Sequence, residues 1–301
     1  MNRRFEITDD EWERLAPVLP TTTPRRGGRW RDHRQVLNGI LFRVRTGVPW
    51  RDLPERYGPW ETVYKRFARW QTDGTWARIE AALRHPGGWD RGAGLARPDR
   101  LDGGQGPPAR RWGQEKGSPS IQASRQQALG RSRGGLTTKL HTVCDGRGRN
   151  LATRLTPGQD ADTTQLVGLV DQVRVARPGG RGRPRQRPDH LTGDKAYSSR
   201  ANRAALHARH IRHTIPERDD QKTNRARRGA GGGRPPSFDR ARYRQRNQVE
   251  RLMNRRKQFR AVATRFDKLA VRYQATVCVA DIFIWLRARP DRSRGDPRNT
   301  P

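Results

Sequence analysis

The chain has 301 residues, enough for one large domain or a large domain with a small one beside it. Lys and Arg number 64 against 30 Asp and Glu, a formal charge of +34 that calls for a polyanionic partner, because cationic side chains displace counterions condensed on phosphates. No apolar run approaches the roughly 20 residues of a membrane span, MNRRFEITDDEW has no apolar leader core, and the two cysteines, Cys144 and Cys278, stand in no metal-type spacing, which argues against structural zinc and fits a reducing cytoplasm.

In chain order, Thr8 with Glu11 three residues on reads as a capping box opening a helix that Pro17 and Pro20 end. From Asp32, Val36, Ile40, Leu41 and Val44 recur at helical spacing, and Gly47 is placed as the stop. GVPWRDLPERYGPWETVYKRFARW (47–70) predicts two helical stretches around a Gly58-Pro59 break. The second runs Trp60, Val63, Tyr64, Phe67 and Trp70 along one side, with Lys65, Arg66 and Arg69 off it. This is the pattern of a helix-turn-helix whose second helix enters a major groove; the alternative is a small bundle with a basic surface.

Residues 85–120 contain no Val, Ile, Phe, Tyr or Met and are crowded with Gly, Pro and Arg, so 85–127 is expected to be irregular. Order resumes at LTTKLHTVCD (136–145), which predicts a hairpin with 150–156. A helix over 160–176, a short strand at His190–Thr192, a helix over 199–210, a strand at 212–215, a flexible basic insertion at 217–240, and helices over 240–260 and 268–288 follow. Strands interleaved with helices indicate an α/β architecture.

Two carboxylates stand out. At about 100° per residue, Tyr243, Arg246, Glu250 and Lys257 share one face of the 240–260 helix, while Val249, Leu252 and Phe259 take the other. Fifteen of residues 217–260 are Lys or Arg, so a single acid at the centre of that helix face suggests a metal or phosphate site more than a solvated ion pair. Asp194 ends a short strand, where carboxylates point into the crevice above an α/β sheet.

Tyr243-x2-Arg246-x3-Glu250-x6-Lys257, with LTGDKAYSS (191–199), ALGRSRGGLTTKLH (128–141) and the 47–70 block, resembles the DDE transposases of bacterial insertion sequences. The resemblance covers about residues 5–84 and 128–288. It implies a ribonuclease-H-like core over 128–290 behind a helical DNA-binding region at 1–84, with a disordered tail at 291–301. It implies three carboxylates holding two Mg²⁺ ions for in-line phosphoryl transfer on DNA. Asp194 and Glu250 would be catalytic metal ligands, and Tyr243, Arg246 and Lys257, with Lys65, Arg66 and Arg69, would contact DNA. The implied partners are double-stranded element ends and target, bound by a homodimer in the bacterial cytoplasm, associated with the nucleoid and with no membrane. Removing 1–84 is expected to abolish end preference and spare nonspecific binding.

The first acid of that family lies on the first strand in an Asp-Ser-Thr motif. No such motif is present; Asp99 and Asp102 are weak candidates outside any evident strand. Synonymous codons for Arg100–Gln114, read one base later, give Asp-Ser-Thr-Val-Val-Arg-Ala-His-Gln-His. The segment therefore reads as frame-shifted, and the chain as an inactive transposase. The alternatives are a catalytically dead DNA-binding remnant and a structure-specific nuclease of the same fold.

Overall fold

A computed structural model describes residues 5–23, 28–84, 93–95, 99–102, 126–132, 135–177 and 182–288. Helix α1 (Asp9–Leu15) opens with the Thr8–Glu11 capping box. Helix α2 (His33–Thr46) starts on the Asp32 side chain and stops at Gly47, whose φ of +72° places it in the left-handed region. The first of the two helical stretches expected in 47–70 is instead a pair of single 3₁₀ turns, Trp50–Asp52 and Glu55–Tyr57. Pro49, Pro54 and Pro59 punctuate it too closely for an α-helical ladder. Helix α3 (Trp60–Thr72) buries Val63, Phe67 and Trp70 completely, and α4 (Thr75–Leu83) follows.

The sheet has β1 (Ala93–Leu95), β2 (Asp99–Asp102), β3 (Gly130–Ser132), β4 (Gly135–Asp145), β5 (Asn150–Pro157), β6 (His190–Gly193) and β7 (Arg212–Thr214). The β4–β5 hairpin forms as expected. β1 and β2 lie end to end along the other side of β4, both antiparallel to it, and β1 is parallel to β6, which is parallel to β7. The interior place beside the hairpin is thus filled. This corrects the expectation of irregular chain at 93–95 and 99–102; residues 85–92, 96–98 and 103–125 lie outside the described residues. The reason is that a ladder is made by backbone groups, and side-chain β-propensity is a weak, context-dependent preference. The unpaired sides of β4 and β6 would otherwise leave buried N–H and C=O groups without partners.

The region 160–176 is a 3₁₀ turn (Asp162–Gln165) running into the short α5 (Leu166–Val170). Helix α6 (Arg200–Ala208) is capped by Ser199. The basic insertion at 217–240 is partly ordered, as α7 (Asp219–Arg227), with an acidic first turn and a basic last turn that suit the helix dipole. The single helix expected over 240–260 is two, α8 (Arg240–Arg244) and α9 (Asn247–Lys257), joined through Gln245–Arg246 by i→i−3 hydrogen bonds. Then come α10 (Arg260–Ala263) and α11 (Ala270–Leu286), whose buried side chains lie all around it. Helices α2, α3 and α4 pack on α11, so residues of 7–79 and of 249–286 belong to one hydrophobic cluster. A second cluster, on the other face of the sheet, joins Leu95, Val143 and Leu191 to α5 and α6. The architecture is mixed α/β with a ribonuclease-H-like sheet and a helical N-terminal region. No helix among the described residues is long and apolar enough to cross a membrane.

Candidate active site and nucleic-acid interface

Asp194 follows β6 directly. Its backbone N–H donates to the Leu95 carbonyl (2.9 Å), and its Oδ1 accepts from the Lys195 N–H (2.6 Å). The end of β1 therefore fixes where the Asp194 carboxylate begins. Glu250 reaches the same end of the sheet from above. Its neighbour Val249 is fully buried against β1, so close to Gly94 that a Cβ there would meet Val249 Cγ2 at 3.1 Å. Gly94 in turn is level with Thr192 of β6. Glycine at 94 lets α9 settle onto the strand.

Glu250 is half exposed and pairs with Arg246 at 2.8 Å. The Arg246 guanidinium sits 5.3 Å from the Tyr243 ring centroid. Burial raises the Tyr243 hydroxyl above its usual range, Arg246 opposes this, and the Asp194 and Glu250 carboxylates add to it. Both acids thus act on one phenol, and the four residues share one patch despite the break between α8 and α9. Lys257 lies on the surface at the far end of α9.

Beneath Asp194 a buried polar chain runs along one face of the sheet. The Tyr197 hydroxyl lies 3.2 Å from His141 Nδ1, and His141 Nε2 lies 2.8 Å from Thr156 Oγ1. Lys139 pairs with Asp162 at 2.6 Å beside it. Burial raises the Tyr197 phenol, with Asp162 and Asp194 contributing. Burial also lowers His141 to about 4, with Asp162 opposing. Tyr197 lies within the LTGDKAYSS block, yet its role was not legible, since only the fold shows His141 beneath it. Arg256 is a second such residue. It donates to both Asp281 oxygens (2.7 and 2.6 Å), to Thr142 and to Thr153, anchoring α9 to β4, β5 and α11.

Asp99 and Asp102 do lie on a strand, opposite Leu140 and Thr137; their side chains fall outside the described residues. Asp99 lies opposite Leu140, three residues along β4 from Val143, the partner of the Leu95 that is bonded to Asp194, or about 10 Å at roughly 3.3 Å per residue. Between 91 and 98 the sequence has no acid. Among the described residues no three His, Cys, Asp or Glu side chains are grouped to hold a metal.

On α3, Lys65 and Arg69 are exposed and Arg66 is not. Arg66 stands 2.6 Å from His33 Nδ1, with its guanidinium 4.2 Å from the Trp30 ring centroid. It braces α3 against α2 rather than facing solvent, because its place in the helix turns it toward α2.

Residues 106–279 match the family described as transposase DDE domain, and residues 7–80 match a family described as putative transposase of the IS4/5 family. The chain is 36% identical over 126 residues to a putative transposase of insertion sequence IS402 from Burkholderia cepacia, covering 42% of this chain and 52% of that one. It is 30% identical over 152 residues to a putative transposase of IS6501 from Brucella ovis, covering 50% of this chain and all of that one. It is also 36% identical over 77 residues to the uncharacterized protein y4sN of Sinorhizobium fredii, covering 26% of this chain and 62% of that one. With the IS402 and y4sN proteins, then, the match spans between half and two-thirds of the relative's length. Among solved structures, a pre-cleavage Mos1 transpososome aligns with 91% of this chain and 84% of its own, at 10% identity and a TM-score of 0.24. The chain belongs to the DDE transposases of insertion sequences.

Proposed function

We propose that this chain is an insertion-sequence transposase that binds double-stranded DNA at the element's ends, as a homodimer, and that it lacks strand cleavage and transfer as it stands. The observation that carries the reading is the patch of Asp194, Glu250, Tyr243 and Arg246 around the end of a β1 strand that supplies no acid. Members of the family use a divalent metal ion, and two Mg²⁺ ions held by three carboxylates would activate the nucleophile and steady the leaving oxygen. The residues present do not fit that site. Among the described side chains two carboxylates remain there, and one of them is engaged by Arg246. Lys195 and Arg246 add positive charge beside them.

What these residues can do is hold a phosphate backbone. Arg246 and Lys257 on α8–α9, and Lys65 and Arg69 on α3, present cations for DNA contact. Tyr243, with its proton retained, donates to a phosphate oxygen. Apparent affinity for a duplex carrying the element's end is expected to fall at least tenfold between about 50 and 200 mM salt, as counterion release requires. The same preparation is expected to give no cleavage in Mg²⁺. A gene restored to the alternate frame across residues 85–127 should cleave, and should stop cleaving with Asp194→Asn or Glu250→Gln. Cleavage by the chain as it stands, or a salt-independent affinity, refutes the reading.

A further inference from the structure

Four of the chain's seven histidines line one groove of about 620 Å³ at the free edge of the sheet. His190 comes from β6, His213 from β7, and His207 and His210 from the end of α6. Arg212 and Arg242 flank them, and Phe238 closes the near side with 47% of its surface exposed. The volume is within the roughly 300–1,000 Å³ of small-ligand clefts. Among the described residues the histidines form no metal-holding group.

Two features mark this groove as built. Phe238 is one of only three large apolar residues exposed among those described, and its ring lies 5.1 Å from that of Tyr243, in the patch beside Asp194. The groove therefore starts where the candidate active site ends. His210, moreover, has φ +54° at the C-terminal stop of α6, with its N–H on the His207 carbonyl and the Ile211 N–H on that of Leu206. Glycine is the usual residue there; a histidine carries a backbone cost that suggests its side chain has a use.

We propose that this groove holds unpaired nucleotides of a DNA strand next to the candidate active site, a base stacking on Phe238 and the histidines facing base edges. The inference rests on the DNA-binding reading above. An exposed aromatic ring beside cations is what single-strand binding needs, since every base offers a π-face and every phosphate a charge. Arg212 meets the phosphates, and Arg242, which pairs with Asp239 of the same groove at 3.3 Å, offers them its remaining N–H groups. Burial lowers His190, helped by Arg242 and Arg212, and also lowers His213, so both stay neutral near pH 7. His190 Nε2 is engaged by Thr214 Oγ1 and His213 Nδ1 by the Ile211 carbonyl, so each neutral ring offers its other nitrogen to a base edge.

The test uses the full chain, an oligothymidine of roughly ten nucleotides, within known single-strand site sizes, and a duplex of equal length. Phe238→Ala should weaken single-strand binding at least fivefold, the low end for one lost stacking contact, and leave duplex binding within about twofold. Phe238→Trp should retain single-strand binding. His210→Gly should weaken single-strand binding while keeping or raising the melting temperature, because glycine suits the left-handed backbone. Equal single-strand affinity in Phe238→Ala and the unaltered chain overturns the proposal and leaves duplex binding standing. Failure of both probes to bind overturns it together with the DNA-binding reading.

Discussion

Histidines buried between the elements give this protein a pH dependence. His141 and His190 are each lowered from 6.5 to about 4, chiefly by burial. The unfolded chain takes up these protons below about 6.5, and the folded chain only near 4. Stability from both is therefore complete above 6.5 and lost as pH falls toward 4. Asp281 has the opposite sign. Raised to about 6 by burial against the pull of Arg256, it favours the fold at low pH and loses that contribution as pH rises from 3.8 to 6. Two histidines against one carboxyl leave a net loss on acidification. The melting temperature should drop between pH 6.5 and 4, and His190→Asn should flatten that drop; an unchanged slope would contradict the assignment. Such buried groups are silent in the sequence: Arg66 shares a helical wheel with Lys65 and Arg69, and only the packing of α3 on α2 shows it facing His33, whereas Glu250 and Asp194 are legible as acids in basic or strand-end settings.

At the scale of elements, boundaries set by local chemistry were legible and those set by tertiary contact were not. Thr8 with Glu11, Asp32 and Gly47 mark helix ends through bonds made within a few residues. The 3₁₀ junction between α8 and α9 has no such marker, and β1 reads as linker because Ala93 and Gly94 fill their places by backbone alone. Arg256 shows how one element is held. Its guanidinium and Asp281 are both about 1% exposed, and it ties α9 to β4, β5 and α11. Removing one partner of such a buried pair leaves an uncompensated charge, costing about 3–5 kcal/mol. Arg256→Met should destabilise by that order in urea unfolding, and Arg256→Met with Asp281→Leu by clearly less. A double variant as unstable as the single one would argue against the pair as the tether.

For the whole molecule, the sequence divides at residue 84 while the hydrophobic core does not. Trp76 and Ile79 of α4, Phe67 of α3 and Val44 of α2 lie in the same cluster as Tyr273, Phe283 and Leu286 of α11. Arg14 donates to the Leu286 carbonyl, and Arg287 pairs with Glu11 at 2.8 Å. The N-terminal helices thus cover the apolar side of α11, which composition alone could not reveal. A chain lacking residues 1–84 should be insoluble or lose its cooperative thermal transition, and so should fail to keep nonspecific DNA binding. A soluble, cooperatively melting 85–301 fragment would show the two regions to be independent after all.

The strand formed by Ala93, Gly94 and Leu95 bears on how such a chain fares in a cell. Quality control senses exposed apolar surface and open backbone, and here the interior ladder is closed by residues that bring no carboxylate. Folding and chemistry are checked by different atoms, so a copy can pass the first inspection while lacking the means for the second. A copy of this kind would persist rather than be degraded, occupying the ends that an intact copy needs. If the chain lacks strand cleavage as proposed above, it would then work as a brake on its own element.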